Sequence, residues 1–168
     1  MTEEQVALVD EHGRVVGSAP RSVVRRDNLL HAATAVIVRD PAGRTYVHRR
    51  SDTKDWSPGA WDAAAGGVIA HGEEPHASAL RELAEELGIT GVRIEPVGTH
   101  LYADDSVRCF EYAFTAVWDG PVVHQPEEVA EGRWVTGAEL AALLADPEVR
   151  FVPDTRQLLG ILAGRMEP

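Results

Sequence analysis

Residues 66–89 constrain this chain more than any other stretch of it. Pro75 suits the first turn of a helix, Glu73 and Glu74 complement its positive end, and Gly88 closes it, so the spacing predicts a helix over Glu74 to Leu87. At about 100° per residue, Ala77, Leu80, Leu83, Ala84 and Leu87 fall within an arc of about 120°, an apolar stripe of ordinary width. Glu82, Glu85 and Glu86 fall on the opposite face. A helix built this way needs an apolar layer to lie on, and the runs on either side of it supply strands.

Gln5 to Val9 and Val15 to Ala19 flank a Gly-containing turn and read as an amino-terminal hairpin, followed by a short basic helix over Arg21 to Asn28. Ala33 to Arg39 and Thr45 to His48 flank Asp40-Pro41-Ala42-Gly43 and read as a second hairpin. Ser51 to Gly59 is polar, is broken by Pro58-Gly59, and reads as a loop beside the sheet. Val92 to Tyr102 and Val107 to Trp118 are longer strands around Asp104-Asp105-Ser106, and Arg133 to Val135 is a shorter one. Ala138 to Leu144 and Thr155 to Ala163 have helical spacing. Strands and helices alternate without a strict βαβ period, so the expected class is α/β (α+β), a mixed sheet with helices packed on its faces. A length of 168 residues fits a single domain, residues 1–168, with residues 1–30 as a hairpin extension.

Glu82, Glu85 and Glu86 are related by i,i+3 and i,i+4 spacing, so their carboxylates share one patch. By themselves they fit either a solvated acidic face or a hard-cation site. Magnesium prefers oxygen ligands and is usually bridged to substrate phosphates, whereas zinc would want His or Cys, and neither adjoins the cluster.

The surrounding pattern separates these readings. Gly67, Glu73, Arg81, Glu82, Leu83, Glu85, Glu86, Gly88 and Ile89 fill every constrained place of the Nudix box at residues 67–89, and the segment resembles that family. With about 7% usage for each fixed residue type, chance agreement at one start position is on the order of 10⁻⁹. The resemblance implies a Nudix αβα sandwich and a hydrolase acting on a phosphoanhydride bond. It also implies that Glu82, Glu85 and Glu86 hold Mg²⁺, with Mn²⁺ as a substitute. Arg81 and Glu73 would pair to orient the loop on the helix, and Gly67 would let a backbone carbonyl approach the metal. The family's general base stands either at the Glu82 position or in a downstream loop, where Glu127 and Glu128 are found, and Glu82 is preferred here.

A second likeness lies outside the box. Val9-Asp10-Glu11, Leu29-Leu30-His31, Arg49-Arg50, Lys54, Pro58-Gly59 and Trp61 follow the order seen in isopentenyl diphosphate isomerases and the hydrolases related to them. That branch implies that Arg50 and Lys54 contact a diphosphate, and a guanidinium fork and an ammonium both suit phosphate. Trp56 and Trp61 are candidates to stack on a base or a prenyl chain, as is Tyr102. Isomerase chemistry itself is not expected. Its cysteine would fall at Gly66, a metal-binding histidine at Val68 and a pair of glutamates near Val107 and Cys109, leaving His31 alone. The other readings are an isomerase-like enzyme and a non-catalytic nucleotide-sensing module.

Net charge bounds the partners. With 27 acidic against 16 basic residues the chain carries −11, which repels a phosphate backbone, so no polymeric nucleic acid is expected. A small diphosphate-containing substrate requires a metal or a local basic cluster. No run approaches the roughly 18 apolar residues of a membrane span. The acidic start Met1-Thr2-Glu3-Glu4-Gln5 lacks the charge pattern of a secretory signal, and a cytoplasmic location is expected, as a monomer or a homodimer. The single cysteine, Cys109, reads as a half-buried strand residue that makes no internal disulfide.

Overall fold

The computed structural model describes residues 2–166. Met1, Glu167 and Pro168, at the ends of the expected domain, lie outside them. The strands are β1 (Gln5–Val9), β2 (Val15–Pro20), β3 (His31–Arg39), β4 (Thr45–Arg50), β5 (Trp61–Asp62), β6 (Ile94–Ala103), β7 (Arg108–Val117) and β8 (Val129–Val135). The helices are α1 (Arg21–Asp27), α2 (Pro75–Leu87), α3 (Gly137–Ala145) and α4 (Pro153–Met166). The architecture is the mixed sheet with flanking helices that the sequence predicts.

β3 organises the molecule. It is buried along nearly its whole length, because both of its faces are covered. Side chains alternate along a strand, so Val36 and Val38 join Leu83 and Leu87 of α2 on one face, while Ala35 and Ile37 join Leu158 of α4 on the other. The expected β3–β4 hairpin exists only at its closed end, where Arg39 pairs with Thr45. From there the strands part. β3 runs parallel to β7 from His31↔Cys109 to Arg39↔Val117, and β4 runs antiparallel to β8 from Thr45↔Val135 to Arg50↔Val129. This divergence leaves an opening between the two halves of the sheet.

The segment entering α2 is stitched into that opening. Val36 N donates to Ala65 O at 2.7 Å, Thr34 N to Gly67 O at 2.9 Å, and Ile69 N to Ala32 O at 2.9 Å. These bonds fix Gly66 and Gly67 against β3. Gly88 then ends α2 at φ 64°, in the left-handed region that glycine adopts without cost.

One expectation about α2 is corrected. Its buried face comprises Ser78, Ala79, Glu82, Leu83, Glu86 and Leu87, so the helix is turned by about 110° from the orientation its apolar stripe predicts. Glu82 and Glu86 point inward. Ala77 is exposed, and Leu80 and Ala84 are half-buried. The sheet presents Gly66, Gly67 and His48 to this face, and those groups favour carboxylates where an apolar surface would not. No helix among the described residues is long and apolar enough to cross a membrane.

Candidate active site

The α2 acids occupy three different environments. Glu86 is 2% exposed; its Oε1 accepts from the Gly66 amide at 3.2 Å, and its Oε2 stands 3.4 Å from Nε2 of the buried His48. Strand alternation puts His48 on the same face as Tyr46, which packs in the core beneath α2. Glu82 is 8% exposed and lies against Gly67, and Arg81 Nη1 donates to its Oε1 at 3.0 Å. Burial and the adjacent Glu86 charge push the Glu82 carboxyl up to about 7, against the pull of Arg81. Glu85 is exposed and reached by Arg81 at 3.2 Å.

Arg81 ties this patch to the preceding loop, as expected. Its Nε donates to Glu73 Oε2 at 2.9 Å and its Nη2 to Glu73 Oε1 at 3.0 Å, while Ala70 N donates to the same carboxylate at 3.3 Å. The fork is bidentate, so it fixes direction as well as distance. Gly67 sits where β3 meets the Glu82 carboxylate. Its carbonyl accepts from Thr34, leaving one lone pair, and its lack of a Cβ makes room for the Glu82 carboxylate.

A narrow cleft of about 60 Å³ opens beyond Gly67. Arg50 and Lys54 both line it, as does Trp56. Arg50 is largely engaged in holding the loop: its Nη2 donates to Trp56 O at 2.9 Å, and its guanidinium lies 5.4 Å from the Trp56 ring centre. Lys54 is ion-paired with Glu128 and acts electrostatically on Glu82, which places it between the acids and the cleft. Of the two downstream glutamates, Glu128 is therefore at the site, while Glu127 has an exposed side chain. Trp61 is not a cleft residue; it packs against Val47, Val135 and Val152 under Arg133. Tyr102 donates to Asp104 Oδ2 at 2.7 Å.

The sequence reading missed the far wall of the cleft. Arg21 and Arg25 of α1 line it, one helical turn apart, and both reach Asp55, at 2.7 and 3.3 Å. Burial alone would raise Asp55, but these two guanidiniums hold its carboxyl well below the usual carboxylate range. Burial, helped by the charges of Arg21 and Arg50, presses Arg25 downward in spite of Asp55. The i,i+4 spacing of Arg21 and Arg25 was the available signal. The floor residues Asp62, Glu111 and Asp154 gave none, since they come from three separate elements.

Loop, helix, arginine clamp and buried acids match a known arrangement. The NUDIX domain model matches residues 29–155. The chain belongs to the Nudix family. It is 46% identical over 167 residues to Nudix hydrolase orf19 of Rhodococcus erythropolis, covering 94% of this chain and 90% of that one. It is 38% identical over 158 residues to Nudix hydrolase YfcD of Escherichia coli, covering 94% and 86%. Both relatives are described as uncharacterised. Among solved structures, DR0079 of Deinococcus radiodurans superposes with a TM-score of 0.79 at 24% identity, over 94% of this chain and 98% of that one. The NUDIX domain of Shewanella oneidensis NrtR, complexed with ADP ribose, superposes with a TM-score of 0.65 at 19% identity, over 83% and 89%. The fold is thus the Nudix fold, and the activity is that of a hydrolase acting on pyrophosphate bonds. Nudix hydrolases generally use divalent metals.

Proposed function

We propose that this Nudix hydrolase cleaves the phosphoanhydride bond of a small diphosphate-containing substrate, a nucleoside di- or triphosphate or a nucleoside diphosphate derivative, with Mg²⁺. The observation that carries the reading is the burial of Glu82 and Glu86 side by side on α2, with exposed Glu85 beside them. Like charges buried together are unfavourable unless a cation or proton joins them. An all-oxygen donor set fits a hard divalent ion, so these three glutamates would hold it. When bound, the ion supplies the positive charge that offsets the diphosphate and makes attacking water more acidic.

The protein's own groups do the rest. Lys54 and the cationic cleft wall draw the diphosphate to the Gly67 edge of the site. Attack joins the water oxygen to phosphorus, the bridging P–O bond breaks with its electron pair leaving on the departing phosphate, and Glu82 accepts the water proton. Glu128, paired with Lys54, is the alternative base. The Glu73–Arg81 fork keeps Glu82 and Glu85 at fixed distances from the loop.

Kinship with the isomerase-like branch rests on Arg50 and Lys54 in the cleft wall. Hydrolysis is favoured over isomerisation because Gly66 stands where the isomerase cysteine would be and Val68 where its metal-binding histidine would be. Release of inorganic phosphate or a nucleoside monophosphate from a diphosphate panel in Mg²⁺ tests the proposal. Turnover by the wild type and a loss of about 10²-fold or more in Glu85→Gln are expected. Absence of turnover across the whole panel would overturn it.

A further inference from the structure

His48 is a polar residue at a wholly buried place in β4, with 1% of its surface exposed. A leucine would fill much the same volume with no polar atom to desolvate, so packing alone does not account for an imidazole there. Neither ring nitrogen meets hydrogen-bonding geometry with any described residue. Buried polar groups are almost always paired, and the exceptions that a fold retains concentrate at its functional sites.

Two acids lie near this ring. Asp62 is opposite His48 in the register of β4 with β5, and its Oδ1 accepts from the Ala64 amide at 3.0 Å. Glu86 is the acid that reaches the imidazole, with Oε2 standing 3.4 Å from Nε2. The other Glu86 oxygen is already held, since Oε1 accepts from the Gly66 amide at 3.2 Å. Gly66 belongs to the segment stitched to β3, and His48 belongs to β4, so this one carboxylate is approached from both sides of the opening in the sheet. A carboxylate offers about four lone pairs, and two donors on the sheet side leave others for a cation.

We infer that His48 is a positioning residue of the metal centre, whose Nε2–H turns the Glu86 carboxylate and holds it for the divalent ion. The inference rests on the reading of Glu82, Glu85 and Glu86 as the residues that hold the ion. An ionised carboxylate only accepts, so the nitrogen that faces it carries a proton, and Nε2 is that nitrogen. Donors behind a ligating carboxylate fix its direction, and losing one typically weakens metal binding by about 10- to 100-fold.

Mn²⁺ titration of the full chain, followed by electron paramagnetic resonance of the free ion, reads this effect without turnover. His48→Leu should weaken uptake by about tenfold or more, while His48→Gln, whose amide N–H can replace Nε2–H, should stay within about threefold of the wild type. A disturbed core would weaken binding whatever stands at residue 86, whereas positioning acts through that carboxylate. In a Glu86→Gln background, His48→Leu should therefore add a loss of less than about twofold. Nitrogen NMR of the imidazoles in the wild-type chain needs no variant, and should find His48 Nε2 protonated. Uptake indifferent to His48→Leu, an equal loss in the Glu86→Gln background, or a proton on Nδ1 alone would overturn the inference. Absence of Mn²⁺ uptake by the wild type would sink the metal reading itself, whereas uptake that Glu85→Gln weakens and His48→Leu does not would sink this inference alone.

Discussion

A Cβ placed on Gly67 would stand 2.7 Å from Glu82 Oε1. The atom in the way is the end of a side chain, which can swing aside, so Gly67→Ala should fold with a stability change of about 1 kcal/mol or less. It should nevertheless lose activity by about 10- to 10²-fold, because the Glu82 carboxylate is displaced. Gly66→Ala should behave in the opposite way. Its Cβ would fall 1.9 Å from the backbone oxygen of Thr34, and a strand must move to admit it, at a cost of about 3 kcal/mol. Urea unfolding and steady-state rates for the two neighbours would separate site from scaffold.

Thr34→Val removes a buried hydroxyl that has no hydrogen-bond partner among the described residues. Deleting such a group is expected to stabilise the ligand-free chain by about 1 kcal/mol. A shift of the urea midpoint to higher concentration at unchanged slope is the expected result.

His31 ties stability to pH. Burial lowers its pKa from 6.5 to about 4, although Leu29 O lies 2.9 Å from Nδ1. Between those values the unfolded chain binds the extra proton and the folded chain does not, so stability rises with pH through this window. The penalty is absent above about pH 6.5 and complete below about pH 4. Between pH 7.5 and 4 the wild type should therefore lose roughly 3 kcal/mol more than His31→Gln does, as an order of magnitude. Equal losses in the two proteins would show that the imidazole is not held neutral.

Leu83 is fully buried beneath the acids. Leu83→Ala should cost about 2–5 kcal/mol, with a matching fall in thermal midpoint, because α2 loses its central contact with β3. Glu85→Gln, on the exposed edge of the same helix, should leave the midpoint nearly unchanged.

Local features of this protein were legible because they are short-range. Pro75 and Gly88 mark the ends of α2, Asp40 to Gly43 marks a turn, and the pairing of Arg81 with Glu73 follows from the box. What escaped is long-range. An apolar count assigns Glu82 and Glu86 to solvent, because nothing within α2 shows that Gly66, Gly67 and His48 await them. The parallel pairing of β3 with β7 joins residues such as Thr34 and Tyr112, and no local period encodes it. The cleft floor suffers the same limit, since Asp62, Glu111 and Asp154 become neighbours only when the sheet opens between β3 and β4.

Manganese titration followed by electron paramagnetic resonance tests the metal assignment most directly, since free Mn²⁺ gives a signal that binding removes. Uptake by the wild type is expected, weakened by about tenfold or more in each of Glu85→Gln and Glu86→Gln. Uptake that is unaffected by those substitutions and abolished by Asp154→Asn would contradict that assignment, placing the ion at the cleft floor and leaving the α2 acids without their proposed role.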